Sequence, residues 1–297
     1  MDAVDIKRIE YVIVTHNVTA MRLTGDRASE QVSQKICGQV CKKLNAACGW
    51  TKVESYDGYC GWIVDEHLCN WPLNRTGRSL GYDATKSAVV TVPISPFFHT
   101  EHLETATLLP MGCVVYRVGT GVSQHGILCE VEVALAMRNP DEPVRGFMRT
   151  GDLADTSPNG APWAFDPAHI CSTACALQGV PYVWGGTTPF GYDCSGFVQA
   201  IFALHGVRLP RDAYQQAVCD AGKQLPPGTV PAIADLVFFR GSRNPHGRGV
   251  SHVGIAMGDG LVVHASGTNG VAISALASTE VAEEYEVTGF LRVENGQ

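Results

Sequence analysis

The stretch "TSPNGAPWAFDPAH", residues 156–169, is rich in Pro, Gly and Asn and separates two textures of sequence. No other feature constrains the fold as much. Before it, "QKICGQVCKKL", "GWTKVESYDGYCGWIV", "SAVVTVPISPFF", "GCVVYRVG", "ILCEVEVALAM" and "VRGFMRTGDL" are short β-like runs. Strands so short and so closely spaced predict two small all-β barrels, over residues 1–86 and 87–155. After the divide, "HICSTACALQG" reads as a helix stopping at Gly179. "CSGFVQAIFALHG" places Phe197, Ala200, Ile201 and Leu204 at helical spacing before Gly206. The runs "ADLVFFR", "HVGIAM" and "LVVHASG" follow as strands. Helices first and strands later predict an α+β domain with an antiparallel sheet over residues 156–297.

Composition narrows the class of function. A hydrophobic fraction of 45% with 17% charged residues is that of a globular chain, not a disordered one. The formal net charge of −7 excludes nucleic acid as the main partner, since phosphate binding needs a basic face. No run reaches the roughly eighteen apolar residues of a membrane span. The opening "MDAVDIKRIEYVIVTHN" lacks the apolar core of a secretory signal, so a cytoplasmic setting is expected, with unconventional export or a lysosomal-type compartment the alternatives. Eleven cysteines include two C-x3-C pairs, Cys37/Cys41 and Cys171/Cys175. Neither has a second pair or a His-x-x-x-His nearby, so reduced thiols are expected and neither a metal nor an organic cofactor.

Cys194 stands where a loop becomes an amphipathic helix. A lone cysteine in a helix is most often a small packed hydrophobe. A helix N-terminus, however, favours thiolate over thiol, and a neighbouring base would make the sulfur a nucleophile. On this reading its pKa is depressed and Gly196 keeps bulk away from it. His252 and His264 flank "GDG", residues 258–260. With a three-residue loop there, Met257 faces Leu261, and His252, Gly254, Ala256, Val262, His264 and Ser266 share one face. A two-residue loop would put the histidines on opposite faces, because one residue of register flips every side chain. The odd loop makes His252 and His264 diagonal neighbours, base and orienter, with Gly254 and Ala256 leaving room for a helix terminus.

"PYVWGGTTPFGYDCSGFVQAIFALHGVRLPRDAYQQ", then "ADLVFF", "SHVGIAMGDG" and "VVHASG", resembles the NlpC/P60 family of cysteine peptidases over roughly residues 165–292. Ala234 stands where that family has a Gly before "DLVFF", a change with no evident effect on the chemistry. The stretch "SEQVSQKICGQVCKKLNAACGWTKVESYDGYCGWI" resembles a bacterial SH3 (SH3b) barrel, and residues 87–155 do so more loosely. Two such barrels before an NlpC/P60 domain is the layout of γ-D-glutamyl-L-diamino-acid endopeptidases.

The resemblance implies a papain-like catalytic domain with Cys194 as nucleophile, His252 as base and His264 as third polar residue. It implies hydrolysis of the γ-D-glutamyl to diaminopimelate or Lys bond in peptidoglycan stem peptides and muropeptide fragments. Tyr182 and Asp212 match residues that hold the free amine of the L-Ala before D-Glu. Asp193, Ser195 and Trp184 are further substrate-binding candidates, as are Tyr59 and Glu30 of the first barrel. The alternatives are a cysteine amidase or acyltransferase using the same triad, and a wall-binding protein whose peptidase domain is vestigial.

Overall fold

The computed structural model describes residues 10–71, 86–100, 103, 106–123, 126–135, 143–241, 247, 249–278 and 285–294. The charged opening at residues 1–9, and the last two residues of "ILCEVEVALAM", lie outside them. The chain forms two compact units, one of residues 1–87, 96–109 and 113–150, the other of 88–95, 110–112 and 151–297.

The first unit is built from short strands. One sheet contains β1 (Glu10–Val14), β2 (Val18–Arg22), β3 (Gln31–Ile36), β4 (Val40–Ala47), β5 (Trp50–Glu54), β6 (Cys60–Val64) and β7 (Leu68–Trp71). Their order is β3-β2-β6-β5-β4-β1-β7. Alternation puts Val12, Met21, Cys41, Val53 and Ile63 into one buried cluster. After β8 (Ser87–Val90) come β9 (Ile94–Phe98), β10 (Ala106–Pro110), β11 (Val114–Ser123), β12 (Gly126–Val133) and β13 (Val144–Arg149). The last five lie in the order β10-β9-β13-β12-β11. β14 (Leu153–Asp155) pairs antiparallel with β8 in the second unit.

The second unit supplies the helices. α1 (Pro167–Cys175) starts at Asp166, whose carboxylate accepts from the Ala168 and His169 amides, with Pro167 in the first turn. The hairpin β15 (Thr187–Thr188) and β16 (Gly191–Tyr192) leads into α2 (Cys194–Leu204). α2 ends where expected. Gly206, at φ 79°, and Val207 donate their amides to Ala203 and Phe202. A one-turn α3 (Ala213–Gln216) follows.

The sheet then runs through β17 (Gly222–Gln224), β18 (Leu236–Gly241), β19 (His252–Gly258), β20 (Leu261–Ser266), β21 (Gly270–Ala275) and β22 (Tyr285–Val293). Its order is β17-β22-β18-β19-β20-β21, with antiparallel ladders. Three of these strands, β17, β21 and β22, carry no pattern that marked them in the sequence.

The β19–β20 turn departs from the expected loop. It is a two-residue turn, Asp259 at φ 49° and Gly260 at φ 71°, with Gly258 opposite Leu261. Asp-Gly with both φ values positive is the preferred short hairpin connection. A bulge between Ala256 and Gly258 takes up Met257. Beyond it Ala256 faces Val262 and Ile255 faces Val263, the expected register. The extra residue sits in the strand rather than in the loop. The parity argument therefore survives although the loop length does not.

Ala234 occupies a backbone position that favours glycine. Its φ of 64° lies in the left-handed region, which costs an L-residue about 1–2 kcal/mol. Two backbone bonds of 2.8 Å hold it there, Ala234 N–H to Ala256 O and Ala256 N–H to Asp235 O.

Candidate active site

Cys194 is the first residue of α2 and is 7% exposed. Asp193 caps the helix, its Oδ1 accepting from the Gly196 amide at 2.7 Å. The same carboxylate forms a bidentate pair with Arg211, at 2.6 Å and 3.1 Å, and Arg211 is 1% exposed. Arg211 also donates to Ser195 Oγ at 3.0 Å, and Gln216 Nε2 donates to the Ser195 carbonyl at 3.1 Å. Asp193 and Ser195 are thus turned into a buried network that fixes the helix start. Gly196 serves packing rather than clearance at the sulfur, because a Cβ there would lie 2.1 Å from the Gly186 carbonyl oxygen.

The thiol faces the backbone amides of Val253 and Ser195. Val253 is the residue after His252, so α2 delivers the sulfur beside the histidine strand. Burial pushes the thiol up to about 12, with the Asp193 charge adding to it, against opposing contributions from the two amides and Arg211. This differs from the depressed pKa expected at a helix start. Desolvation outweighs the helix terminus, and the capping carboxylate works in the same direction.

His252 and His264 meet as the register requires. His252 Nε2 lies 2.8 Å from His264 Nδ1, and His264 Nε2 lies 3.1 Å from Ser274 Oγ on β21. Both rings are 4% exposed. Burial, then the neighbouring His264, holds His252 well below the ordinary histidine range. Burial brings His264 down to about 4. At neutral pH the pair is therefore uncharged. For His252 Nδ1 to accept a proton, Nε2 must carry its own hydrogen and donate it to His264 Nδ1, so His264 Nε2–H donates to Ser274. One direction of donation satisfies the whole chain.

Gly254 is needed for that contact. A Cβ on it would stand 3.0 Å from His264 Cβ and 2.5 Å from Val262 Cγ2. Ala256 packs with Val237, Phe239 and Val262. Gly254 thus makes room within the sheet.

Tyr182 is half-buried, and burial, then Cys194 and Asp193, pushes its phenol up. It remains a hydrogen-bond donor beside the thiol. Trp184, two residues on, is 52% exposed. Asp212 opens α3 in a capping box with Gln215, and Arg211 gives its guanidinium to Asp193. Tyr59 and Glu30 belong to the first unit. Tyr59 packs against the cluster of Val12, Met21, Cys41, Val53 and Ile63, while Glu30 is exposed.

Two residues near the histidines went unnoticed in the sequence. Ser274 ends the relay, and Tyr285 stacks on His252 with centroids 4.3 Å apart. Both lie on strands that had no recognisable pattern. Among the described residues no cluster of His, Cys, Asp and Glu could hold a metal ion. No described helix is long and apolar enough to cross a membrane.

The family model described as "NlpC/P60 family" matches residues 179–289. A γ-D-glutamyl-L-lysine dipeptidyl-peptidase of Bacillus cereus is 36% identical over 276 residues, covering 87% of this chain and 74% of that protein. A Bacillus subtilis protein of the same name is 40% identical over 124 residues, 41% of this chain and 40% of that one, less than half its length. A crystal structure of an NlpC/P60 family protein from Bacillus cereus superposes with a TM-score of 0.75 at 20% identity, covering 95% of this chain and 99% of that one. This last similarity is one of fold.

Proposed function

Because the chain belongs to the NlpC/P60 family, we propose that it is a cysteine endopeptidase acting on peptidoglycan-derived peptides at the γ-D-glutamyl to diamino-acid bond. The observation that carries the reading is the His252–His264–Ser274 chain beside the first residue of α2. The names of the two Bacillus relatives support the substrate class.

Cys194 Sγ attacks the γ-carbonyl carbon while its proton passes to His252 Nδ1. The resting pair is thiol and imidazole, so transfer accompanies attack rather than preceding it. The developing oxyanion is held by the Cys194 N–H and the Tyr182 hydroxyl. His252 then protonates the leaving amine as the C–N bond breaks. Water, deprotonated by His252, releases the acyl group from the sulfur. His264 stabilises the imidazolium through the 2.8 Å contact.

Tyr182 and Asp212 hold the free α-amine of the L-Ala before D-Glu, with Trp184 offering an exposed aromatic face to the peptide. A charge-assisted hydrogen bond of this kind contributes about 1.5–3 kcal/mol, roughly ten- to hundredfold in kcat/KM. Asp193 and Ser195, the further substrate-binding candidates, also hold the nucleophile's helix through Arg211. The N-terminal modules, 1–86 and 87–155, are read as SH3b-like. Of their two candidate substrate residues, Glu30 is exposed and Tyr59 packs on its own core. Eleven free thiols fit a reducing compartment.

The test is hydrolysis of L-Ala-γ-D-Glu-diaminopimelate and its L-Lys counterpart. Cleavage is expected, lost in Cys194→Ala and reduced at least tenfold by N-acetylation of the alanine or by Asp212→Asn. Equal rates on free and acetylated peptides would remove the amine requirement. Cleavage that persists in Cys194→Ala would remove the mechanism. Unchanged kcat/KM in both Glu30→Ala and Tyr59→Ala would remove the first module from the substrate site.

A further inference from the structure

Tyr285 opens β22, which is separated from β19 by β18. Its ring nevertheless lies on His252, with planes 22° apart and centroids 4.3 Å apart. The reach is possible because its ladder partner on β18 is Gly241. A Cβ there would stand 3.5 Å from Tyr285 Cε1 and 3.2 Å from Ser251 Oγ. The same ring tilts against Phe239 at 5.8 Å and meets the edge of His264 at 6.2 Å. Phe239 itself lies 5.6 Å from His252. The imidazole is thus covered on one flat face by Tyr285, with Phe239 beside it.

We propose that Tyr285 is the positioning residue for His252, fixing the plane of the imidazole and keeping water from it. The inference rests on the cysteine-peptidase reading and deepens it. The hydrogen bond to His264 anchors only Nε2, and the ring could still pivot about that contact. A stacked aromatic removes the pivot and so fixes the direction in which Nδ1 points. It also withdraws the imidazolium from solvent and so favours the neutral base.

The other groups around the imidazole come from several elements. His264 on β20 bonds Nε2 and is itself bonded to Ser274 on β21. The Cys194 thiol on α2 lies by the Val253 amide, with the Asp193–Arg211 pair behind it. Tyr182 lies near both Cys194 and Tyr285. Loss of the Tyr285 ring leaves all of these in place. What changes is exposure and freedom of the base.

The experiment compares kcat and KM across pH for wild type, Tyr285→Ala and Tyr285→Phe. Tyr285→Ala is expected to lower kcat about tenfold or more with little change in KM. Its acid limb should move up by about one pH unit as the imidazole meets water. Tyr285→Phe keeps the flat ring and should return the acid limb to its wild-type position. An acid limb that stays put in Tyr285→Ala, or a Phe variant as impaired as Ala, overturns the proposal. Should Tyr285→Ala fail to fold, Tyr285→Leu fills the space without a flat ring. The kcat loss in Leu and its rescue in Phe then decide. A nitrogen-15 titration of the His252 ring, assigned by its absence in His252→Gln, separates this proposal from the functional one. If the wild type cleaves neither γ-D-glutamyl peptide the functional reading fails. A rise in the His252 pKa in Tyr285→Ala but not in Tyr285→Phe would still uphold the stacking role, and no rise would end it.

Discussion

At Cys194 two environments compete, and their magnitudes decide the resting state. A helix N-terminus contributes up to about 2 kcal/mol toward a thiolate in favourable, partly buried geometries. Removal from water disfavours the charged form by up to about 4–7 kcal/mol for a fully buried group. The pKa of about 12 and the downward-shifted His252 agree on a neutral pair. Alkylation by iodoacetamide should then rise with pH through the range above 8, following hydroxide, instead of levelling off below 7. A plateau at neutral pH, lost in His252→Gln, would show a preformed thiolate–imidazolium pair and reverse this reading. The placement of Cys194 at a helix start and of His252 beside His264 was legible, the latter because the strand pair is constrained by parity. The thiol's environment was not, since desolvation depends on side chains that no local pattern reveals. Asp193 and Ser195 show the same limit. Next to a nucleophile they read as substrate ligands, and their bonds to Arg211, 18 and 16 residues away, left no local signal.

At the scale of the strand, the β19–β20 pair holds the two histidines together with two devices. The bulge at Met257 reconciles a two-residue Asp-Gly turn with the parity that the histidines need. Gly254 then leaves the space into which His264 leans. The alternation of polar and apolar residues exposed the register, but a bulge leaves no mark in that alternation beyond a glycine. The turn was misread for that reason. Gly254→Ala tests the second device. Its Cβ would come within 3.0 Å of both His264 Cβ and the Val263 carbonyl oxygen, and within 2.5 Å of Val262 Cγ2. Misplacement of the orienting group by about an ångström costs on the order of a hundredfold in rate. The expected result is a kcat loss of that size with the circular dichroism spectrum retained. Activity within threefold of wild type would show that the strand adjusts and that the contact tolerates a wider spacing.

At the scale of the whole chain, the division into short strands followed by helices and a sheet was legible because period and turn residues change together near residue 156. The strands β17, β21 and β22 were not, since they are short or polar along one face and draw their order from ladders with distant partners. That sheet buries two neutral histidines, and the consequence is acid sensitivity of the second unit. His264 titrates near 6.5 when unfolded and near 4 when folded. Above pH 6.5 both states are neutral there, and the residue contributes its full stability. As pH falls toward 4 the unfolded chain takes up a proton that the folded chain refuses, and stability declines. The difference of roughly 2.5 pH units corresponds to about 3 kcal/mol, lost across that window and constant below it. His252 carries the same sign, so the loss steepens while both rings stay buried. Hydrogen exchange of the amides in residues 252–258 and 261–266 reads this unit without interference from the first. Protection should fall about a hundredfold between pH 6.5 and 4.5, after correction for the intrinsic exchange rate. His264→Gln, which cannot take up the proton, should show a shallower fall. An identical pH slope in wild type and variant would mean that His264 is protonated in the folded protein as readily as in the unfolded one. The neutral relay from His252 to Ser274 would then be the wrong description of the site.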